Sequence, residues 1–205
     1  MTESMDLRSI QKPLKEKYRG EPGSSRITLT AHSDQVDTPI ACSVEVGQRL
    51  LEAQVHSGVG GPGTAACSGD LLLGALAACA QLTCQLVATA MGISFEHIGV
   101  DVEGQMGLSG ALGISKDVPV GFQDIHARFD IRAPEATAEQ LAILKEKTEQ
   151  YCVVMQTLLK PPPIRTTWAT VREADASIKP GASAPGRNCQ IDGKARGAGG
   201  SCRPL

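Results

Sequence analysis

Aromatic residues are scarce in this chain of 205 residues, which holds three Phe, two Tyr and one Trp. So few rings cannot build the stacking platforms that bind single-stranded nucleic acid. The core must instead come from Leu, Val, Ile, Ala and Met. A basic excess is missing too. The net charge of −2 and pI near 6.1 give no overall field for nucleic acid or for an anionic membrane. The charged N-terminal stretch MTESMDLRSIQKPLKEKYRG lacks the apolar segment of a secretory signal. The longest apolar run, Leu71–Met91, is interrupted by Gln81, Thr83, Gln85 and Thr89 and has no closely flanking Lys or Arg. It reads as a buried helix, not a membrane span, and a cytoplasmic location is expected. No Cys-x-x-Cys occurs and no His stands at ligand spacing from a Cys, so no metal and no cofactor is expected. The Gly-rich GVGGPG is followed by no Lys, unlike a phosphate loop.

Cysteine, by contrast, is plentiful. Seven are present, at 42, 67, 79, 84, 152, 189 and 202. Their odd count and scattered spacing do not match the disulfide framework of a small secreted protein. Inert buried thiols and one or two reactive ones remain as readings.

The length suits one domain. Residues 1–17 are polar and predict a short helix or arm, followed by a Gly/Pro/Ser loop, YRGEPGSSR, at 18–26. ITLTA, IACSVEV and RLLEAQVHS alternate with a period of two between turn formers, which predicts an antiparallel meander. After the Gly-rich loop at 58–69, Leu72, Leu76, Cys79, Leu82, Leu86 and Ala90 recur at helical steps. Small residues fill the positions between them, so this helix is apolar on most sides and is expected to be central and covered on several faces. Gly92 is its expected C-cap.

FEHIGVDVEGQM and GFQDIHARFDIRA predict two more strands. TAEQLAILKEKTEQYCVVMQTLL predicts helix with Thr137 as N-cap and a break near Gln150. PPPIRTTWATV predicts a last strand opened by prolines, and 173–205 a disordered Gly/Ala/Ser/Pro/Arg tail containing Cys189 and Cys202. Strands, helix, strands, helices and strand make an α+β pattern of antiparallel sheets around a long central helix. The main domain is expected to span 18–172.

Cys79 lies mid-helix and Cys152 at the start of a second helical segment, where the helix dipole would lower its pKa. Taken singly, each is more often a packing residue. GDLLLGALAAC (69–79) followed by YCVVMQTL (151–158) resembles the paired signature of the osmotically inducible protein C and organic hydroperoxide resistance (OsmC/Ohr) superfamily. The likeness covers residues 18–170. It implies a thiol-dependent peroxidase in which Cys79 is peroxidatic and Cys152 resolving. An external dithiol would be the reductant, and an intertwined homodimer would carry its sites at the subunit interface. It also implies an N-terminal arginine that activates the thiolate, held by an acidic residue near the start of the central helix.

Arg19, in the Gly/Pro loop, is favoured for the cation over Arg26, which opens a strand. Asp70 is the acidic candidate, although nine positions before Cys79 is about half a turn out of phase on a straight helix. A helix-start role for Asp70 is the competing reading, and Glu149 is a second acidic candidate. Cys84 lies on another side of the helix, Cys67 is a possible alternative resolver, and the four His are scattered over strands. Val153 follows the second cysteine where the commoner pattern has proline. A non-catalytic protein of the same fold that binds a small apolar ligand or senses oxidants, and a structural dimer with inert thiols, are the competing classes.

Overall fold

The structure is a computed structural model and describes residues 7–169. Two units divide the chain, Met1–Pro162 and Pro163–Leu205. The first opens with helix α1 (Leu7–Gly20) and a short 3-10 turn at Pro22–Ser25. Strands β1 (Ala31–Gln35), β2 (Ala41–Val46) and β3 (Arg49–Gln54) then form the expected antiparallel meander in the order β1-β2-β3. Val46 pairs with Arg49, so Gly47 and Gln48 alone make the turn. Gly47 at φ 60° supplies the left-handed backbone that a two-residue hairpin requires.

Helix α2 (Ser68–Met91) follows, ended by Gly92 in the left-handed conformation as expected. Strand β4 (His97–Met106), a helical turn α3 (Leu108–Ala111) and strand β5 (Phe122–Arg132) come next. β4 and β5 form a second antiparallel sheet, in which Ile98 pairs with Ile131, Val100 with Phe129 and Val102 with Ala127. Period-two alternation sends these pairs to one face, where α2 packs. Helices α4 (Ala138–Tyr151) and α5 (Val153–Leu159) close over the same helix. Thr137 caps α4 as expected, its hydroxyl accepting the Gln140 N–H at 3.1 Å. Antiparallel sheets and a long helix make this an α+β fold.

Three expectations are corrected. Helix α1 runs through residue 20, so the expected arm boundary at 17 falls inside it and Arg19 sits in its last turn instead of in a loop. The first strand starts at Ala31, leaving Ile27 and Leu29 exposed ahead of it. Helix α2 is covered on one stripe only. Leu76, Ala80, Cys84 and Ala88 are buried, whereas Leu72, Leu82 and Leu86 are 38%, 59% and 45% exposed. Among the described residues α2 has β4, α4 and α5 packed on it, and nothing of comparable size shields Leu72, Leu82 and Leu86. It is also the one helix among the described residues long and apolar enough to cross a membrane.

The second unit is described only to residue 169. There Ile164 and Trp168 are exposed in backbone that forms no ladder, so the expected last strand is not found among the described residues. Extended backbone becomes a strand only when a neighbouring edge takes its N–H and C=O groups. Cys189, Cys202 and the expected tail lie outside the described residues.

Candidate active site

Helix α2 brings Cys79 to the break between α4 and α5. That break falls at Cys152, which ends one helix and starts the next with extended angles (φ −70°, ψ 105°). Cys152 is fully buried in a cluster with Leu76 and Ala80, and Cys79, half-buried, packs against the same cluster beside Val154 and Met155. Both thiols are free. Two cysteines far apart in sequence thus become neighbours.

The surroundings set the two thiols apart. Burial opposes ionisation at Cys79, but four donors outweigh it: the Val154 N–H, the Cys152 thiol, the Thr83 hydroxyl and the Val153 N–H. They hold Cys79 below the ordinary thiol range. Two of these donors are free amides in the first turn of α5, which have no partner within their own helix. At Cys152 burial prevails. The Met155 and Val154 N–H groups offset it only in part, and the neighbouring Cys79 charge pushes the same way as burial, so Cys152 lies above the ordinary range. The helix-start effect expected at Cys152 therefore falls on Cys79. Physically, the amides of α5 point toward the half-buried thiol across from them, while Cys152 sits at the cap itself and is walled off from water.

Asp70 takes the helix-start role. Its carboxylate accepts the Cys67 N–H at 2.9 Å, closing a capping box at the head of α2. The backbone and thiol of Cys67 hold it below the usual carboxylate range, with a smaller contribution from His56. At 1.5 Å per residue it stands about 13.5 Å along the helix from Cys79. Arg19 and Arg26 are both exposed, and among the described residues no ion pair joins either to Asp70 or Glu149. Arg8, at the other end of α1, donates to the Ala90 carbonyl at 2.6 Å, so α1 starts beside the last turn of α2. No cation stands among the groups that shift Cys79. The structure thus joins Cys79 to Cys152 and brings neither Arg19 nor Asp70 to them.

Thr83 and the two amides were missed. Thr83 was legible, because four residues after Cys79 is the same face of a helix. The amides were not, since nothing in the sequence says which helix start faces Cys79. Among the described residues no cluster of His, Cys, Asp or Glu could hold a metal ion.

The family model described as OsmC-like protein matches residues 61–167, more than half of the chain. The chain belongs to the OsmC-like family. Solved structures agree on the fold. An OsmC-like protein from Mycoplasma pneumoniae is 16% identical with a TM-score of 0.55, over 66% of this chain and 89% of that one. An organic hydroperoxide resistance protein from Elizabethkingia anophelis is 19% identical with a TM-score of 0.54, over 67% and 91%. An organic hydroperoxide resistance protein OsmC from Legionella pneumophila is 19% identical with a TM-score of 0.51, over 66% and 92%. No curated protein sequence matches the chain. At such identities the structures speak for the fold of this OsmC-like chain, and its chemistry is argued from its own thiols.

Proposed function

We propose that this OsmC-like protein is a cysteine-based peroxidase that reduces organic hydroperoxides or hydrogen peroxide. The observation that carries the proposal is the packing of Cys79 against Cys152 at the break between α4 and α5, with donors that hold Cys79 below the ordinary range and burial that keeps Cys152 above it. A peroxidase needs that asymmetry, because the thiolate is the nucleophile and the second thiol must wait as S–H. The Cys79 thiolate attacks the outer peroxide oxygen. The O–O bond breaks, and the departing alkoxide takes a proton and leaves as alcohol (water, for hydrogen peroxide). Cys79 becomes a sulfenic acid. The Cys152 sulfur then attacks the Cys79 sulfur, the S–O bond breaks and water leaves, giving a Cys79–Cys152 disulfide. An external dithiol reduces it by exchange, becoming the oxidised partner in turn. The names of the Elizabethkingia and Legionella relatives agree with this chemistry.

In this proposal Thr83 and the first amides of α5 steady the thiolate. Arg19 is kept as a second source of positive charge, reaching Cys79 only if α1 shifts. Asp70 supports the site indirectly, by fixing the head of α2. The bare leucines of α2 and the exposed β1, together with Ile27 and Leu29, support an intertwined homodimer as the working form. Its place is the cytoplasm, where dithiol reductants are maintained.

The test mixes fully reduced protein with one equivalent of cumene hydroperoxide and maps the products by mass spectrometry. A Cys79–Cys152 bond is expected. In Cys152→Ser a sulfenic acid trapped on Cys79 should replace it. Unchanged peroxide consumption in Cys79→Ser would rule the proposal out.

A further inference from the structure

A second feature lies beside the thiol pair without containing it. Between β5, α2 and helices α4 and α5 is a cavity of about 770 Å³, within the range of roughly 300–1,000 Å³ usual for small-molecule sites. Leu76, Ile125, Phe129 and Met155 line it and also pack in the Cys152 cluster, so the two sites share a wall. Elsewhere the lining mixes aliphatic side chains with polar and charged ones, and Cys84, Leu144 and Thr148 are its most buried members.

Thr148 is the anomaly. It is 2% exposed, and its Oγ1 has no hydrogen-bond partner. Two other helical threonines avoid that state. Thr89 donates to the Gln85 carbonyl and Thr157 to the Val153 carbonyl, each at 2.8 Å and four residues back. Thr148 makes no such bond. The Cys84 thiol is its polar neighbour: the hydroxyl eases that thiol's ionisation, but burial prevails and keeps the thiol protonated, and the hydroxyl then has no hydrogen-bond partner. An apolar side chain of the same shape would remove the penalty of a buried, unpaired hydroxyl. The buried, unpaired hydroxyl therefore stands among the lining of this cavity, where an oxygen of a bound molecule could pair with it.

We propose that the cavity binds a neutral, largely apolar molecule carrying a single hydroxyl or carbonyl oxygen, which pairs with Thr148. The apolar part of the lining calls for a largely apolar ligand, and the exposed Asp124 and Glu149 against Lys145 disfavour a carboxylate. The ligand need not be a peroxide, because neither Cys79 nor Cys152 lines the cavity. Binding here is independent of the peroxidase reading.

The test titrates reduced full-length protein with 1-naphthol and with naphthalene, following ligand fluorescence. Wild type should bind naphthol five- to ten-fold more tightly than naphthalene, the difference one hydrogen bond makes. Thr148→Val should erase that preference while keeping naphthalene affinity and raising or preserving the melting temperature, which separates lost recognition from lost folding. Ala127→Phe, which fills the cavity from β5, should weaken both probes with an unchanged circular dichroism spectrum. Cys79→Ser should bind as wild type does. The proposal is overturned by equal affinity for the two probes, by a preference that survives Thr148→Val, or by affinity that falls as protein concentration rises, since a second copy would then occupy the cavity.

Discussion

Cys79 and Cys84 lie five residues apart on one helix, yet their surroundings push them in opposite directions. Cys84 faces the middle of α4, where every backbone N–H is already spent on the helix, and meets Leu144 and Thr148. Cys79 faces the join of α4 and α5, where a new helix begins and its first amides are free. Both sites are lined with apolar groups. The opposite shifts follow from deeper burial at Cys84 and from donors at Cys79, two of them unspent backbone amides that the helical break at Cys152 supplies.

The bluntest way to break that comparison is to remove each thiol. Cys79→Ser should lower peroxide consumption by roughly three orders of magnitude, because a hydroxyl cannot supply a comparable nucleophile at neutral pH. Cys84→Ser should leave the rate within about two-fold, the loss expected from a thiol that serves only packing. Coupled peroxide assays on the two variants check both. Equal losses would mean that the environments do not matter.

A finer cut removes only the amide. Val153 is the first residue of α5 and follows Cys152 in extended conformation, so proline fits there without breaking the helix. Val153→Pro deletes one donor to Cys79. The thiolate reactivity at pH 7, measured by iodoacetamide alkylation, should fall roughly three- to ten-fold, as for one lost hydrogen bond to a charged group. The pH–rate midpoint should move up towards that of an ordinary thiol. Thr83→Val should act in the same direction and Thr83→Ser should restore it.

The smallest effect is in stability. The folded pKa of Cys79 is lowered, so as pH rises from that value to about 8.5, the ordinary thiol range, the unfolded chain holds more protons and the reduced protein gains stability. Cys84 and Cys152 are raised. Above the ordinary range the unfolded chain therefore loses their protons first, and stability falls until their folded pKa values are passed. Denaturant titrations of reduced protein across pH 6–11 should show a rise and then a fall. Cys79→Ser should flatten the rise, and Cys84→Ala should lessen the fall.

Much of this was legible in the sequence because it is local. Period-two alternation gave β2 to β5, helical spacing and Gly92 gave α2, and Thr137 marked the head of α4. Motif order gave the family and named Cys79 and Cys152. Errors arose where a neighbour decides. Ile27–Leu29 and Ile164–Trp168 have strand composition but pair with no strand among the described residues. Leu72, Leu82 and Leu86 have the same chemistry as Leu76, and only packing separates bare from buried. Asp70 was placed at a helix start, but only the fold showed its carboxylate accepting the Cys67 N–H with no arginine paired to it among the described residues.

By itself, then, the sequence determined an α+β chain of one family with a reactive candidate in the middle of its longest helix. The tertiary structure alone decided which thiol is held below the ordinary range, by placing the first amides of α5 at Cys79 and shutting Cys152 away from water. A pKa depends on the donors and solvent around a sulfur, and helix α5 comes to face Cys79 only when the chain folds.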